Sequence, residues 1–188
     1  MKPTPVLAYA HLNARIMPVA RGERFEDPLI KALAGNGYGR VTGGGTQQSK
    51  TGEIDCCGID VDLIDLDRGP LFVCGFLADL GAPRGSKLQF RHDGKAIELP
   101  FGLVEGVAIY LNGTDLPAQV YQQCDINVVI ETINRLLGRR GMIQGHWHGP
   151  TESALYLYGT SAQEMQAIIA PFLREYPLCE RARLVVIA

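Results

Sequence analysis

Apolar and acidic residues alternate in the segment Ile59-Asp60-Val61-Asp62-Leu63. Alternation with a period of two is typical of a β-strand that buries one face and leaves the other in contact with water. The apolar side chains are therefore predicted to face a core. Asp60 and Asp62 are predicted to lie on the opposite side, with Asp55 and Asp67 nearby. The segment indicates a sheet with one acidic, solvated face.

A glycine-rich segment precedes this strand. Residues 44–51 nearly match the phosphate-binding loop G-x-x-x-x-G-K-[ST], but Ser49 stands where the second glycine belongs. A phosphate loop works because a helix N-terminus follows it, whereas here an acidic strand follows. We therefore interpret the segment as a flexible hairpin loop and expect no phosphate site.

The order of predicted elements indicates an α+β fold made of two tandem ferredoxin-like halves with mainly antiparallel sheets. Each half reads β-α-β-β-α-β. Residues 1–100 form the first half, which ends in a β-hairpin, and residues 101–188 form the second. The two halves could also build one compact pseudo-symmetric domain. Leu88 recurs as Leu184, 96 residues later (184 − 88), which is consistent with internal duplication.

Short local signals set the ends of several elements. Asp93-Gly94 between two apolar runs predicts a tight hairpin. Asp125 is the predicted cap of one helix, and residues 161–164 form a capping box that opens the last helix. Asp67 is the predicted cap of a helix over residues 68–80.

Composition excludes some classes of function. The formal net charge is −2 and the basic residues are scattered, so we do not expect nucleic-acid binding. The sequence contains no apolar run that could span a bilayer, and its first residues lack the pattern of a signal peptide. The five cysteines include no C-x-x-C pair, which is typical of reduced thiols. These features predict a cytoplasmic protein with no membrane partner.

The group His146-Trp147-His148 offers the clearest alternative chemistry. Residues two apart on a strand share a face, and Glu152 follows closely. Two imidazoles and a carboxylate can hold zinc or non-haem iron. His146, His148 and Glu152 are therefore the predicted metal ligands of an alternative, in which the chain is a metal-dependent enzyme or a small-molecule sensor. In the simpler interpretation the two histidines lie on the solvent face of a strand, and no cofactor is expected.

We favour a non-enzymatic protein-binding module. The sequence contains neither a G-x-S-x-G elbow nor an H-E-x-x-H motif, and no catalytic residue is predicted. An acidic face would attract a protein with a basic patch, and toxins that act on nucleic acids carry such patches. The most concrete form of this hypothesis is a bacterial immunity or antitoxin-like protein that binds and neutralises its partner.

The predicted partner-binding residues combine negative charge with one aromatic anchor. They are Glu53, Asp55, Asp60, Asp62, Asp65, Asp67 and Trp147. The carboxylates would supply charge, and Trp147 would be the anchor if it is exposed. Two alternatives stay open: an enzyme or sensor that uses the cleft between the halves, and a homodimer formed through an open sheet edge.

Overall fold

A computed structural model describes residues 4–188 of the 188-residue chain. It contains one antiparallel sheet of 5 strands, one of 4 strands, and helices. The chain divides into two compact units: residues 4–48 with 54–103, and residues 49–53 with 104–188. The predicted α+β fold of two tandem ferredoxin-like halves is confirmed.

The first unit is a ferredoxin-like fold with one additional strand. Its elements are β1 (Val6–Leu12), α1 (Pro18–Arg21), a π-helical turn (Gly22–Glu26), α2 (Asp27–Asn36), β2 (Gly39–Gln48), β3 (Ile54–Leu63), α3 (Gly69–Asp79), β4 (Ser86–His92) and β5 (Lys95–Phe101). The strand order is β2-β3-β1-β4-β5, so β1 lies between β3 and β4. This is the split β-α-β arrangement. The extra strand β5 follows the predicted hairpin, where Asp93 and Gly94 both have positive φ angles.

The core of the first unit lies on one face of its sheet. Ala8, Ala10 and Leu12 of β1 and the three apolar residues of the alternating segment in β3 are each at most 1 % exposed. Residues of β1 and β3 lie directly opposite one another, so these side chains form one continuous surface. The prediction that the apolar positions of β3 face a core is confirmed.

The glycine-rich segment is part strand and part hairpin turn: residues 44–48 belong to β2, and the predicted hairpin loop is confined to residues 49–53, between β2 and β3. Strand β2 continues to Gln48, with a bulge between Val41 and Gly43. A Cβ atom on Gly44 would lie 2.5 Å from Oε1 of Glu26. The absence of a side chain at Gly44 therefore lets Glu26 approach the strand closely, and the glycine serves packing rather than flexibility.

The second unit has the same order of elements. They are β6 (Glu105–Asn112), α4 (Ala118–Gln123), α5 (Ile126–Leu137), β7 (Gly141–His148), β8 (Glu152–Gly159), α6 (Ala162–Glu175), a 3₁₀ turn (Pro177–Cys179) and β9 (Arg183–Val186). The strand order is β7-β8-β6-β9. In the part of the chain that the structure describes, no helix has both the length and the apolar character to cross a membrane.

Two of the three predicted helix caps are confirmed. Asp125 accepts a hydrogen bond from the backbone amide of Asn127 (2.8 Å), and Ser161 accepts one from that of Glu164 (3.2 Å). The prediction of Asp67 as the cap of α3 was wrong, because the helix begins two residues later, at Gly69. Asp65 instead accepts hydrogen bonds from the backbone amides just before that helix.

The two units repeat each other in strand register as well as in order. A central residue of the first strand has the same pair of opposite neighbours in each unit: Ala10 with Ile59 and Leu88, and Ile109 with Leu155 and Leu184. The bulge between residues 41 and 43 of β2 also recurs between residues 143 and 145 of β7. The register therefore relates residues of β3 and β8 that are 96 positions apart (155 − 59).

All five cysteines are free thiols. Cys57 in the first unit is 0 % exposed and Cys179 in the second is 3 % exposed. Burial disfavours the charged thiolate, and it raises the pKa of Cys57 to about 12 and that of Cys179 to about 11. These two thiols are therefore protonated and shielded in the folded protein.

Candidate functional site

The face of the first sheet opposite its core carries polar and charged side chains. Tyr9 of β1 lies opposite Asp60 of β3, and His11 lies opposite Lys87 of β4. Directly opposed residues of an antiparallel pair share a face. We call this surface the polar face, and it comprises Leu7, Tyr9, His11, Asp60, Asp62 and Lys87. Asp60 and Asp62 thus occupy the side that the alternating sequence predicted.

Asp62 is already engaged by a neighbouring cation. Arg40 of β2 donates to its carboxylate from two nitrogens, at 3.0 and 2.8 Å. The arginine side chain is 71 % exposed, whereas that of Asp62 is 18 % exposed. Burial and then the nearby Cys56, Cys57 and Asp60 groups raise the pKa of Tyr9, so its phenol stays neutral beside Asp60. The polar face is therefore mixed in charge rather than uniformly acidic.

The other predicted carboxylates lie away from the polar face. Asp55 lies at a bulge of β3, because Gln47 pairs with Cys56 and the next residue of β2, Gln48, pairs with Ile54. Asp65 is in the turn before α3 and forms an ion pair with Arg68 at 2.7 Å. Hydrogen bonds from the backbone and the side chain of Arg68 lower the pKa of Asp65. Asp67 is exposed in the same turn. Two of the six predicted carboxylates, Asp60 and Asp62, thus belong to the polar face.

Glu53, the sixth carboxylate, belongs to the second unit and is held there by two tyrosines. The hydroxyls of Tyr110 and Tyr156 donate to its Oε1 atom at 2.6 and 2.8 Å. Tyr156 is completely buried and Tyr110 is 9 % exposed. A buried phenol needs a hydrogen-bond acceptor, and Glu53 satisfies both. The structural role of Glu53 is therefore evident, and its predicted role in partner binding stays a prediction.

Trp147, the predicted aromatic anchor, is half-buried in the second unit. It lies opposite Ala154 on the face that also carries Tyr110 and Tyr156. Its indole nitrogen donates to the backbone carbonyl of Thr51 at 3.3 Å. The ring also lies against the backbone of Gly149, where a Cβ atom would overlap it. Trp147 thus packs within its own unit.

The three predicted metal ligands of the alternative are not brought together by the structure. His148 lies opposite Ser153, and its Nδ1 atom is 2.7 Å from the serine hydroxyl oxygen. Glu152 is one residue away and therefore points to the other face of the sheet, where Arg183 binds it at 2.8 and 3.1 Å. Among residues 4–188, no three His, Cys, Asp or Glu side chains form a group that could hold a metal ion.

A polar hollow of about 440 Å³ in the second unit was not predicted. Charged and amide side chains from separate segments line it, including Asn112, Asp115, Thr151, Glu152, Arg181 and Arg183. Arg183 is the first residue of β9, and Arg181 lies just before that strand. Asn112 ends β6 and lies opposite Glu152, which begins β8, whereas Asp115 and Thr151 come from loops. The strand register that brings these residues together had not been predicted.

Comparison with known proteins gives no family. No protein-family model matches the chain, and no curated protein matches it. Among solved structures, the chain is similar to the first two RRM domains of yeast poly(U) binding protein (Pub1), with 8 % identity over 97 % of this chain and 99 % of that chain and a TM-score of 0.26. It is also similar to a putative monooxygenase from Lactobacillus acidophilus NCFM, with 14 % identity over 98 % of this chain and 95 % of that chain and a TM-score of 0.30. Likeness at this level carries no argument about function.

Proposed function

We propose that the protein is a non-enzymatic binding module whose polar face contacts a partner protein with a basic patch. The observation that supports this most directly is the position of Asp60 and Asp62 on one side of β3, next to Tyr9 and Leu7 of β1. Tyr9 is 36 % exposed and Leu7 is 65 % exposed. An apolar and aromatic centre beside charged groups is the usual composition of a protein interface.

Charge complementarity supports a basic partner for this face. Long-range attraction between unlike charges speeds association and disfavours partners of the wrong sign. The ion pair of Asp62 with the exposed Arg40 is a surface pair, which typically contributes about 0–1 kcal/mol to stability. A lysine or arginine of the partner can therefore replace Arg40 at Asp62 at little cost. Asp60 supplies the second negative charge.

The first experiment is affinity capture of the tagged protein from its own host at low salt. We expect one stoichiometric partner with a basic surface, released as the salt concentration rises. With the purified pair, Asp60→Lys should slow association by about tenfold or more at low salt, because the local field reverses. Asp79→Lys, which makes the same charge change on α3, is the matched control and should leave the association rate near the wild-type value.

The most concrete form of the proposal is an immunity or antitoxin-like protein. In this form, the captured partner alone arrests growth of the host, and co-expression of this chain restores growth. Asp60→Lys should fail to restore growth, whereas Asp79→Lys should succeed. Equal rescue by the two variants would count against the polar face as the interface, and a harmless partner would count against the immunity role.

A further inference from the structure

The polar hollow of the second unit has balanced charge. Two arginines, Arg181 and Arg183, and two carboxylates, Asp115 and Glu152, contribute to its lining. A ligand with one negative charge would be attracted by the arginines but repelled by the carboxylates. A simple cation would be attracted by the carboxylates but repelled by the arginines. Coulomb energy therefore favours a ligand that carries both charges.

Arg183 is fixed in orientation before any ligand arrives. Its guanidinium carbon lies 4.6 Å from the centre of the Tyr110 ring, in cation–π geometry. One of its terminal nitrogens also donates to both oxygens of Glu152, at 3.1 and 2.8 Å. The hydrogen bond to Glu152 raises the pKa of Arg183, which keeps the charge in place. This pair forms a rigid wall of the hollow.

Arg181 lines the hollow from an unfavourable backbone conformation. Its φ angle is +62°, in the left-handed region that glycine adopts readily and other residues avoid. The turn that imposes this angle is closed by a hydrogen bond from the amide of Ala182 to the carbonyl of Cys179 (3.0 Å). Strained residues are concentrated at ligand sites, where the strain serves to aim a side chain.

Asp115 provides a negative charge in the lining of the hollow. The side-chain amide of Asn112 and the hydroxyl of Thr114 donate to its carboxylate at 3.3 and 3.1 Å. These bonds orient the carboxylate, and they leave further lone pairs on its two oxygens as acceptors. Arg181 and Asp115 thus both contribute to the lining of the same open hollow.

We propose that this hollow binds a free α-amino acid as its zwitterion. Arg181 binds the ligand carboxylate, a contact that planar guanidinium groups favour. Asp115 accepts hydrogen bonds from the ligand ammonium group, and Thr151 is a further polar residue of the lining. The volume of about 440 Å³ is within the range of small-molecule sites.

The test measures binding of the twenty standard L-amino acids to the wild-type protein, one at a time, by calorimetry. Alanine has two matched analogues, propionate without the ammonium group and ethylamine without the carboxylate. We expect at least one amino acid to bind, and to bind at least tenfold more tightly than the analogues that lack one charge. Amide NMR signals of residues 112–115, 151 and 181 should shift on binding. If no amino acid binds, or if a single-charge analogue binds equally well, the proposal is overturned.

Arg181→Gly separates binding from folding. Glycine suits the positive φ angle, so the thermal midpoint should stay the same or rise, while amino-acid affinity should fall at least tenfold. Arg139→Ala, at an exposed arginine beyond α5, removes the same charge and should leave affinity unchanged. Unchanged affinity in Arg181→Gly would overturn the assignment. Neither variant alters the polar face of the first unit, so failure here and failure of the proposed partner binding are distinguishable.

Discussion

The two units carry different chemistry at the same positions of the same fold. Asp60 and Asp62 of β3 correspond in register to Tyr156 and Tyr158 of β8, each 96 residues later (156 − 60; 158 − 62). The aspartates are half-buried and one is paired with an exposed arginine, whereas the tyrosines are at most 2 % exposed. The backbone register is thus independent of whether a face is charged or aromatic.

Charged residues and aromatic residues at these corresponding positions require different support from the rest of the chain. The charged positions need only water and a surface cation, so they leave the face available for other contacts. The buried phenol of Tyr156 needs an acceptor, and Glu53 from the 49–53 segment provides it. One unit therefore uses this face for stability, and we propose that the other uses it for recognition.

The largest expected effect contrasts Tyr156→Ala with Asp60→Ala. Removal of the fully buried Tyr156 ring leaves a cavity and should lower the free energy of unfolding by about 3–5 kcal/mol. Asp60→Ala at the corresponding position should change it by less than about 0.5 kcal/mol. Urea titrations of both variants measure this. Equal losses of unfolding free energy would mean that Asp60 and Tyr156 contribute equally to stability.

The next effect tests the acceptor of the tyrosine hydroxyls. Glu53→Ala leaves the phenols of Tyr110 and Tyr156 without their carboxylate and should cost about 2–3 kcal/mol of unfolding free energy. Glu53→Gln keeps an acceptor oxygen and should lose clearly less. In a Tyr110→Phe/Tyr156→Phe background, Glu53→Ala should have a much smaller effect. If its full effect persists there, Glu53 acts through other contacts.

A pair of glycines beneath tyrosine rings gives a smaller contrast. A Cβ atom on Gly106 would lie 2.8 Å from the buried ring of Tyr158 and 2.9 Å from Ile187, so Gly106→Ala should cost about 1–3 kcal/mol by overpacking. A Cβ atom on Gly58 would overlap the ring of Tyr9, but that side chain is partly exposed and can turn away. Gly58→Ala should therefore cost less than about 1 kcal/mol. Thermal denaturation of both variants ranks them, and the reverse order would contradict this account.

The smallest expected effect is a dependence of stability on pH that arises from His11. His11 in the first unit corresponds to Tyr110 in the second, 99 residues later (110 − 11 = 99). Burial and then the neighbouring Lys87 lower the pKa of His11 below its ordinary value of 6.5. Between the lowered pKa of the folded state and 6.5, the unfolded chain binds more protons at His11 than the folded protein does. The contribution of neutral His11 to stability is therefore present above pH 6.5 and is lost as the pH falls through the folded-state pKa.

His11→Gln should remove this pH dependence. The measurement is the unfolding free energy of both proteins at about pH 7.5 and about pH 5.5, where the wild type should lose more stability than the variant. Tyr110→Phe is the control at the matching position, because a phenol does not titrate in this range. A steeper loss in the variant would reverse the assigned direction.

Local signals predicted much of the fold. The Asp93-Gly94 hairpin and the caps at Asp125 and Ser161 depend on neighbours within a few residues, which a sequence displays directly. The continuation of β2 through residues 44–48 was missed because the reason for Gly44 is the approach of Glu26, a residue 18 positions earlier (44 − 26). Close packing of this kind has no local pattern.

The candidate site depended on register, which the sequence did not reveal. Pairing of His148 with Ser153 assigns Glu152 to the other face, so one residue of register decides whether a metal site exists. Arg181 lines the hollow because it adopts a left-handed conformation, which an arginine in the sequence does not predict.

The two shielded thiols, Cys57 and Cys179, allow the opening of each unit to be measured separately. A cysteine with a pKa of about 11 or 12 reacts with an alkylating reagent only after its surroundings open. Cys57 therefore reports opening of the first unit, and Cys179 reports opening of the second. Pulsed alkylation followed by peptide mass spectrometry would give one opening free energy for each in a single sample, without any engineered probe.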